Sequence, residues 1–243
     1  MKFSHARFTT VVVATVVTVT CGGDSSPTAP TTTTSSTPAF ESANDILARC
    51  PTPAEVATSD LDLSLLFEGD PTVGQIVCSA EQSSRDLTLL EAQAYRVLTI
   101  MRHLEFDASL PWTSNSLYGW MVSAIRGIRF RSDINYSSCC TNDMMNIRTN
   151  NSAALTYPTD FQWVAGMLVL FVHEARHNNG KPHTCGSSDN TIAELGAWGV
   201  QYYMYLFLAN HSDPNFITPA EQSEFRFRAN VTCRLDFCQD TCP

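Results

Sequence analysis

The chain has 243 residues, a formal net charge of −9 and nine cysteines. This length suits one sizeable domain with its own hydrophobic core, or two small domains. The acidic balance, together with the lack of any basic patch interleaved with aromatic residues, excludes nucleic acid as a partner.

The first twenty residues predict an export signal. Lys2 and Arg7 precede the apolar run VVVATVVTV, which is too short and too rich in threonine to span a bilayer. The run VTVTCGGDSSPTAP that follows resembles a bacterial lipoprotein signal, in which the cysteine becomes the lipidated first residue of the mature protein. We therefore expect cleavage after residue 20, lipidation of Cys21 and an extracytoplasmic location, either in the cell envelope or secreted.

Residues 21–39 predict a tether between that anchor and a folded domain. After Cys21 the sequence is GGDSSPTAPTTTTSSTPA, which has nothing apolar enough to offset the entropy of ordering. We expect this segment to be disordered and fairly extended. Membrane contact is then expected only through the lipid on Cys21, and the globular domain is predicted to span residues 40–243.

The cysteines predict a domain that is stapled by disulfides. Apart from Cys21 there are eight, an even number that suits up to four disulfides in an oxidising compartment. They are Cys50, Cys78, Cys139, Cys140, Cys185, Cys233, Cys238 and Cys242. Because Cys139 and Cys140 are adjacent, we expect each to have a different partner. None of the eight has the C-x-x-C spacing of a structural zinc cluster.

The first half of the domain predicts two helices and a polar connection. Residues 86–106 have apolar side chains at helical spacing, with Asp86 as a plausible N-cap, and residues 114–130 predict a second helix. Residues 128–143 form a polar connection with room for a short strand. Residues 151–158 are the best strand candidate and end at Pro158. The predicted fold class is therefore α+β, predominantly helical with few short strands.

A buried helix is predicted to begin after Pro158, with Thr159 or Asp160 as its cap. The sequence is almost continuously apolar from Trp163 to Val172, and a helix that is apolar all round is a buried one. The apolar stretch is too short to cross a membrane. Asn178, Asn179 and Gly180 are typical of a helix end.

Two further helices are predicted near the C-terminus. Residues 189–210 predict a helix capped by Asp189 or Asn190. Residues 218–230 open with a capping box in which Thr218 and Glu221 flank a proline. The tail that follows carries three cysteines, and we expect disulfides to hold it down.

The segment FVHEARHNNGKPH, residues 171–183, predicts a metal site. His173, Glu174 and His177 form the pattern H-E-x-x-H. Residues four apart lie on the same helix face, so both imidazoles can reach one ion, at about 2.0–2.1 Å for zinc. The carboxylate between them can accept a proton from a metal-bound water.

Gly180 and His183 extend the pattern to H-E-x-x-H-x-x-G-x-x-H. The first five positions resemble the zincin metalloproteases, and the extended motif is similar to that of the metzincin subgroup. The resemblance implies a zincin-like single domain, Zn²⁺ bound by His173, His177 and His183, and Glu174 as the general base. No clear methionine turn follows the motif: the first later methionine, Met204, lies in an apolar stretch that predicts helix.

Two other third ligands remain open at this stage. Glu194 lies seventeen residues after His177 on the following predicted helix, and in the thermolysin-like zincins, which the motif resembles, such a second helix supplies a glutamate ligand. Asp189 is the next alternative, as in zincins that use an aspartate. Both residues also have ordinary interpretations, Asp189 as a helix cap and Glu194 as a solvated helical residue. Arg176, within the motif, is either a site for a substrate carboxylate or a surface arginine paired with an acid.

The sequence thus predicts an exported, zinc-dependent hydrolase, specifically a metallopeptidase that acts on peptide or protein substrates. The alternative is a non-catalytic, disulfide-rich surface lipoprotein in which zinc supports structure or is simply bound.

Overall fold

The fold is described from a computed structural model, over residues 41–69, 76–78, 85–183 and 189–237. The predicted signal, the lipidation of Cys21 and the tether all lie outside these residues. About 53% of the described chain is helical, and a few short strands complete a single mixed α/β domain. The expectation of a predominantly helical α+β domain is therefore confirmed at this level.

The described residues contain eight α-helices. Four of them, α1, α2, α3 and α8, begin with a capping box in which a serine or threonine and an acidic residue satisfy each other's backbone N–H groups. A single 3₁₀ turn, Ile192–Glu194, precedes α7. The helices are α1 Ala43–Ala48, α2 Pro53–Asp62, α3 Leu89–His103, α4 Leu117–Ala124, α5 Ala153–Thr156, α6 Phe161–Asn178, α7 Ala197–Ala209 and α8 Pro219–Asp236.

Six strands form two sheets within the described ranges. The main sheet has the order β1-β4-β6-β5, with β1, β4 and β6 parallel and β5 antiparallel to β6. Asn142 and Asp143, both with positive φ, form the two-residue turn between β5 and β6, as a type I′ hairpin requires. The strands are β1 Ser64–Glu68, β2 Ile76–Cys78, β3 Leu87–Thr88, β4 Gly127–Arg131, β5 Ser138–Thr141 and β6 Met144–Arg148.

Helix α6 is the centre of the core. Its apolar residues share one hydrophobic cluster with residues of β4 and β6, and Phe171 meets Phe130 edge to face at 6.0 Å between ring centroids. It also contacts α3, α4 and α7, and α7 packs along α8. Burying each large apolar side chain of this kind contributes about 1.5–3 kcal/mol. In the described part of the chain no helix combines the length and apolarity needed to cross a membrane.

The disulfides agree only in part with expectation. Cys50 is bonded to Cys78, and Cys233 is also disulfide-bonded, as expected for a stapled tail. Cys139 and Cys140 are bonded to each other, so the expectation that they have different partners is wrong. Cys50 and Cys78 are bonded to each other, so neither can pair with the two thiols of β5. Cys185, Cys238 and Cys242 lie outside the described residues.

Three predicted elements differ from the structure, and the cap of α3 is Thr88 where Asp86 was predicted. The helix predicted over residues 114–130 ends at Ala124, and its last residues form β4. The strand predicted over residues 151–158 is wrong: the sequence AALT forms the single helical turn α5. The helix predicted over residues 189–210 begins only at Ala197, because Leu195 is left-handed and the side chain of Asp189 caps the helix from outside it.

Candidate metal centre

Helix α6 presents the H-E-x-x-H residues at its C-terminal end. Asp160 caps its first turn by accepting a hydrogen bond from the Gln162 N–H at 3.0 Å. The helix ends at Asn178, and Gly180 follows with φ +70°, a conformation that glycine adopts without strain. Its N–H donates to the carbonyl of His177 at 2.9 Å. This turn sends the chain back, and His183 returns to the end of the helix.

The structure brings His173, His177 and His183 together. One ring nitrogen from each lies within 4.8 Å of the other two. The ring centroids are 5.0 Å apart for His173 and His177, 5.4 Å for His173 and His183, and 4.8 Å for His177 and His183. Tetrahedral ligands at about 2.0–2.1 Å from zinc stand roughly 3.3 Å apart. Small side-chain rotations would therefore close these three donors on one ion.

Neighbouring groups orient two of the three imidazoles. Nδ1 of His177 lies 3.0 Å from the carbonyl oxygen of Lys181. A carbonyl can only accept, so this contact assigns the proton to Nδ1 and leaves the lone pair of Nε2 for a metal. The ring of His183 stacks on the indole of Trp198, with centroids 4.5 Å apart and planes at 14°. The carbonyl of Lys181 and the indole of Trp198 thus hold two of the three donors in place.

Burial keeps the histidines of α6 in the form that binds metal. His173 is 7% exposed, and burial lowers its pKa to about 3, with repulsion from His177 and His183 acting in the same direction. Burial and the charge of His183 also lower the pKa of His177. Both rings are therefore neutral near pH 7, and the neutral imidazole is the ligand. Nδ1 of His173 is buried and makes no hydrogen bond of normal geometry, although the side chain of Gln201 lies near enough to act against the fall in the pKa of this histidine.

Glu174 is buried beside this cluster without a compensating partner. Its side chain is 4% exposed, and burial raises its pKa to about 7. Its Oε2 has no hydrogen-bond partner in the described structure. Leaving a buried polar atom unpaired costs free energy, so such atoms in native proteins call for an explanation. A carboxyl with this pKa exchanges protons readily near neutral pH.

The two alternative third ligands are engaged elsewhere. Glu194 is exposed and accepts hydrogen bonds from Asn190, the shortest from its N–H at 2.8 Å. Asp189 is fully buried and accepts from the N–H groups of Trp198 at 2.9 Å and Gly199 at 3.2 Å. Among the described residues, neither belongs to the cluster of metal donors.

Arg176 is neither a surface residue nor one of the residues that line the cleft beside the histidines. It is buried, and its Nε–H donates to the carbonyl of Leu195 at 2.8 Å. Burial lowers its pKa, and the charge of Asp189 acts against that shift. Arg176 therefore ties α6 to the turn before α7.

A cleft of about 530 Å³ opens beside the cluster, and the sequence reasoning did not find it. His173, Glu174 and His183 lie at one end of it. Trp163, Gly166, Met167 and Leu170 of α6 form one wall, while residues 135–137 and 150–154 form the other. The spacing of the α6 residues indicates that they share one helix face, and this is the one local pattern from which part of the cleft could be predicted. The opposite wall comes from distant segments, whose meeting no local pattern indicates.

Comparison with protein-family models gives no match for this chain, and comparisons with curated proteins and with solved structures give no significant match either.

Proposed function

We propose that this protein is a zinc-dependent hydrolase, specifically a metallopeptidase of zincin type in which Glu174 is the general base. One observation carries the proposal: a buried carboxyl with an unpaired oxygen follows His173, one of three clustered imidazoles, in α6, and both residues line an open cleft. A purely structural metal site has no need of such a group.

The donor set supports zinc as the metal. Three imidazoles match the three protein ligands of catalytic zinc sites, where the fourth position stays open. When bound there, zinc supplies a water of lowered pKa and polarises a substrate carbonyl. Nδ1 of His173 makes no hydrogen bond of normal geometry within the protein. This agrees with a site in which a bound metal ion or water supplies the missing contacts.

Glu174 supplies the proton transfers. Its Oε2 is free to accept a proton from the attacking water, and its pKa of about 7 allows it to pass that proton to a leaving amine. Burial also excludes bulk water, which would compete for its oxygens. These properties follow from the burial of Glu174 where α6 borders the cleft.

The surroundings support a peptide as substrate. Strand β5 is an edge of the main sheet, so among the described residues no further strand pairs with its outer side, where an extended peptide could add. The residues just before β5 line the cleft that leads to Glu174. A peptide paired along β5 would continue into this cleft.

We also propose that the protein acts outside the cytoplasm, anchored by a lipid on Cys21. The disulfide between Cys50 and Cys78 supports an oxidising compartment. Mass spectrometry of the mature N-terminus tests the anchor, and an unmodified start at another residue would rule it out.

The variant Glu174→Gln tests the catalytic role. It keeps the shape of the side chain but removes its basicity, so we expect unchanged zinc content and a kcat lower by about 10²–10⁴-fold on a fluorogenic peptide mixture. Glu194→Gln is the matched control, and it should behave as wild type. Persisting activity in Glu174→Gln would refute the general base. A wild type that holds zinc but cleaves nothing would favour the alternative, a non-catalytic metal site.

A further inference from the structure

His173 needs a partner for the ring nitrogen that does not bind the metal. A histidine ligand gives one nitrogen to the ion, and its other N–H is usually donated to a carboxylate, a carbonyl or water, which fixes the tautomer and the orientation of the ring. For His177 the carbonyl of Lys181 has this role, at 3.0 Å from Nδ1. Nδ1 of His173 is buried, and no hydrogen bond of normal geometry reaches it. Its partner must therefore come from a neighbouring side chain that is not a metal donor.

Helix α7 brings two side chains to the histidine cluster. Trp198 stacks on His183, with ring centroids 4.5 Å apart, and Gln201 follows three residues later on the same side of the helix. Gln201 is half-buried, and its side chain lies near enough to His173 for a hydrogen bond that acts against the fall in the pKa of this histidine. One face of α7 thus lies against two of the three imidazoles.

Helix α8 fixes the orientation of the Gln201 amide. Nε2 of Gln201 donates to Oγ1 of Thr232 at 3.2 Å and to Oδ2 of Asp236 at 3.4 Å, so both of its hydrogens are used. Thr232 and Asp236 are four residues apart and therefore lie on one face of α8. Because a carboxylate oxygen accepts, Asp236 holds the amide with its nitrogen towards α8. The other end of the amide, Oε1, is an acceptor that these two bonds leave available.

This acceptor and the unpaired ring nitrogen complement each other. Oε1 of Gln201 can only accept, and Nδ1 of a neutral imidazole that binds a metal through Nε2 carries a hydrogen. Asp236 also lies within electrostatic reach of the site, since burial raises its pKa and the charge of His183 acts against that shift. The imidazole of α6, the amide of α7 and the carboxylate of α8 can therefore form one chain of hydrogen bonds.

We infer that Gln201 is a positioning residue of the metal centre: it accepts a hydrogen bond from Nδ1–H of His173, directs Nε2 to the metal, and is held in this orientation by Asp236. The inference rests on the proposed function for the identity of the metal as zinc. It goes beyond that proposal, because it assigns part of the metal affinity to two residues that do not touch the ion. A carboxylate at the end of such a chain makes the imidazole a more basic ligand.

Zinc affinity and the tautomer of His173 test this role, and neither readout depends on catalysis. Gln201→Leu removes the acceptor and keeps the approximate size of the side chain, so zinc affinity should fall by about 10–100-fold, as measured with a chelating dye. Imidazole nitrogen chemical shifts, measured by NMR on the metal-free protein at neutral pH, report the tautomer. His173 should carry its proton on Nδ1 in wild type, and Gln201→Leu should shift the ring towards the other tautomer. A proton on Nε2 in wild type, or unchanged zinc affinity in Gln201→Leu, would overturn the inference.

A double substitution distinguishes loss of the hydrogen bond from damage to the fold. Gln201→Glu combined with Asp236→Asn exchanges the amide and the carboxylate, so the pair keeps its net charge and the shapes of its side chains. A carboxylate at position 201 still accepts from His173, and an amide at position 236 can donate to that carboxylate. We expect zinc affinity within about threefold of wild type, or higher. A folded double variant that binds zinc as weakly as Gln201→Leu would show that the acceptor does not matter.

Gln222→Leu is the matched control for the loss of a half-buried amide. Gln222 lies on α8 and donates to the carbonyl of His211 at 2.9 Å and to that of Ile217 at 3.2 Å. Its substitution should lower the melting temperature and leave zinc affinity unchanged. An equal loss of zinc affinity in Gln222→Leu would show that general destabilisation explains the effect of Gln201→Leu, and the positioning role would be lost.

Hydrolysis of a fluorogenic peptide mixture by the wild type separates this inference from the proposed function. If wild type cleaves no peptide, but Gln201→Leu weakens zinc binding and the double variant restores it, the positioning role stands and the peptidase is refuted. If wild type cleaves peptides and Gln201→Leu binds zinc as wild type does, the peptidase stands and the inference is refuted. If wild type binds no zinc, the proposed function fails, and the tautomer of His173 still decides whether Gln201 orients the ring.

Discussion

Two regions of this protein place ionisable side chains against the core, and they treat them in opposite ways. At the junction of α1 and α2, the guanidinium of Arg49 donates five hydrogen bonds, to Glu41, Glu55 and the carbonyl of Cys50. At the end of α6, His173 and Glu174 are more deeply buried, yet each keeps a polar atom without a partner. The polar groups of the first region satisfy one another, and those of the second region do not.

This difference indicates that the Arg49 region stabilises the fold and that the end of α6 binds a ligand or carries out chemistry. All five donors of Arg49 are used, so this residue has nothing left to offer a ligand. The burial of Glu174 without a partner is unfavourable for folding and leaves a reactive oxygen. Substitutions in the first region should therefore change stability, and substitutions in the second should change zinc binding or chemistry.

The largest expected effect is the loss of zinc affinity in His183→Ala. Zinc binding by a complete ligand set is worth about 10–16 kcal/mol, so removal of one ligand should weaken it by roughly 10²–10³-fold. Glu194→Ala and Asp189→Asn are the matched comparisons, and competition with a chelating dye measures all three. If His183→Ala left the zinc affinity unchanged and Glu194→Ala or Asp189→Asn reduced it strongly, the third ligand would be Glu194 or Asp189 and not His183.

Arg49→Met should lower the free energy of unfolding by about 2 kcal/mol, because it leaves two partly buried carboxylates without their cation. Urea denaturation measures the change, and zinc affinity should stay as in wild type. Arg131→Met removes an exposed pair with Asp133 and should have no measurable effect. If Arg49→Met weakened zinc binding as strongly as His183→Ala, the two regions would not be independent.

The smallest expected effect is a pH dependence of stability at Glu55. Burial acts to raise its pKa, but the bonds from Arg49 and from the N–H of Thr52 outweigh burial and hold the pKa below its usual 4.5. The unfolded chain therefore binds this proton first as pH falls. The advantage of wild type over Glu55→Gln should be complete above pH 4.5 and should shrink as pH falls through the lower pKa of the folded state. Urea titrations at about pH 6 and about pH 3 would detect it, and a difference that does not vary with pH would contradict it.

Local signals explain most of what the sequence predicted about α6 and α8. Asp160 caps α6 and the capping box of Thr218 begins α8, both as expected from short patterns. The three histidines could be grouped because helical spacing joins the first two and Gly180 turns the chain towards the third. The residues that complete the site, such as Trp198, come from elsewhere and have no signature of their own.

One local backbone conformation and two side-chain contacts explain where the predictions from sequence were wrong. Ala153–Thr156 was expected in a strand, but alanine and leucine favour a helical turn once Asn151 takes a positive φ before them. The start of α7 depends on Asp189, a cap that reaches the helix across several residues. The pairing of Cys139 with Cys140 depends on which thiols lie nearby, which spacing alone does not give.

The most direct test of the metal centre is X-ray absorption at the zinc edge, on wild-type protein loaded with one equivalent of zinc. The arrangement of His173, His177 and His183 predicts one tightly bound zinc per chain, with three imidazole nitrogens and one oxygen in its coordination shell. A protein that fails to retain one zinc, or a shell with sulfur or fewer than three imidazoles, would contradict the site at the end of α6.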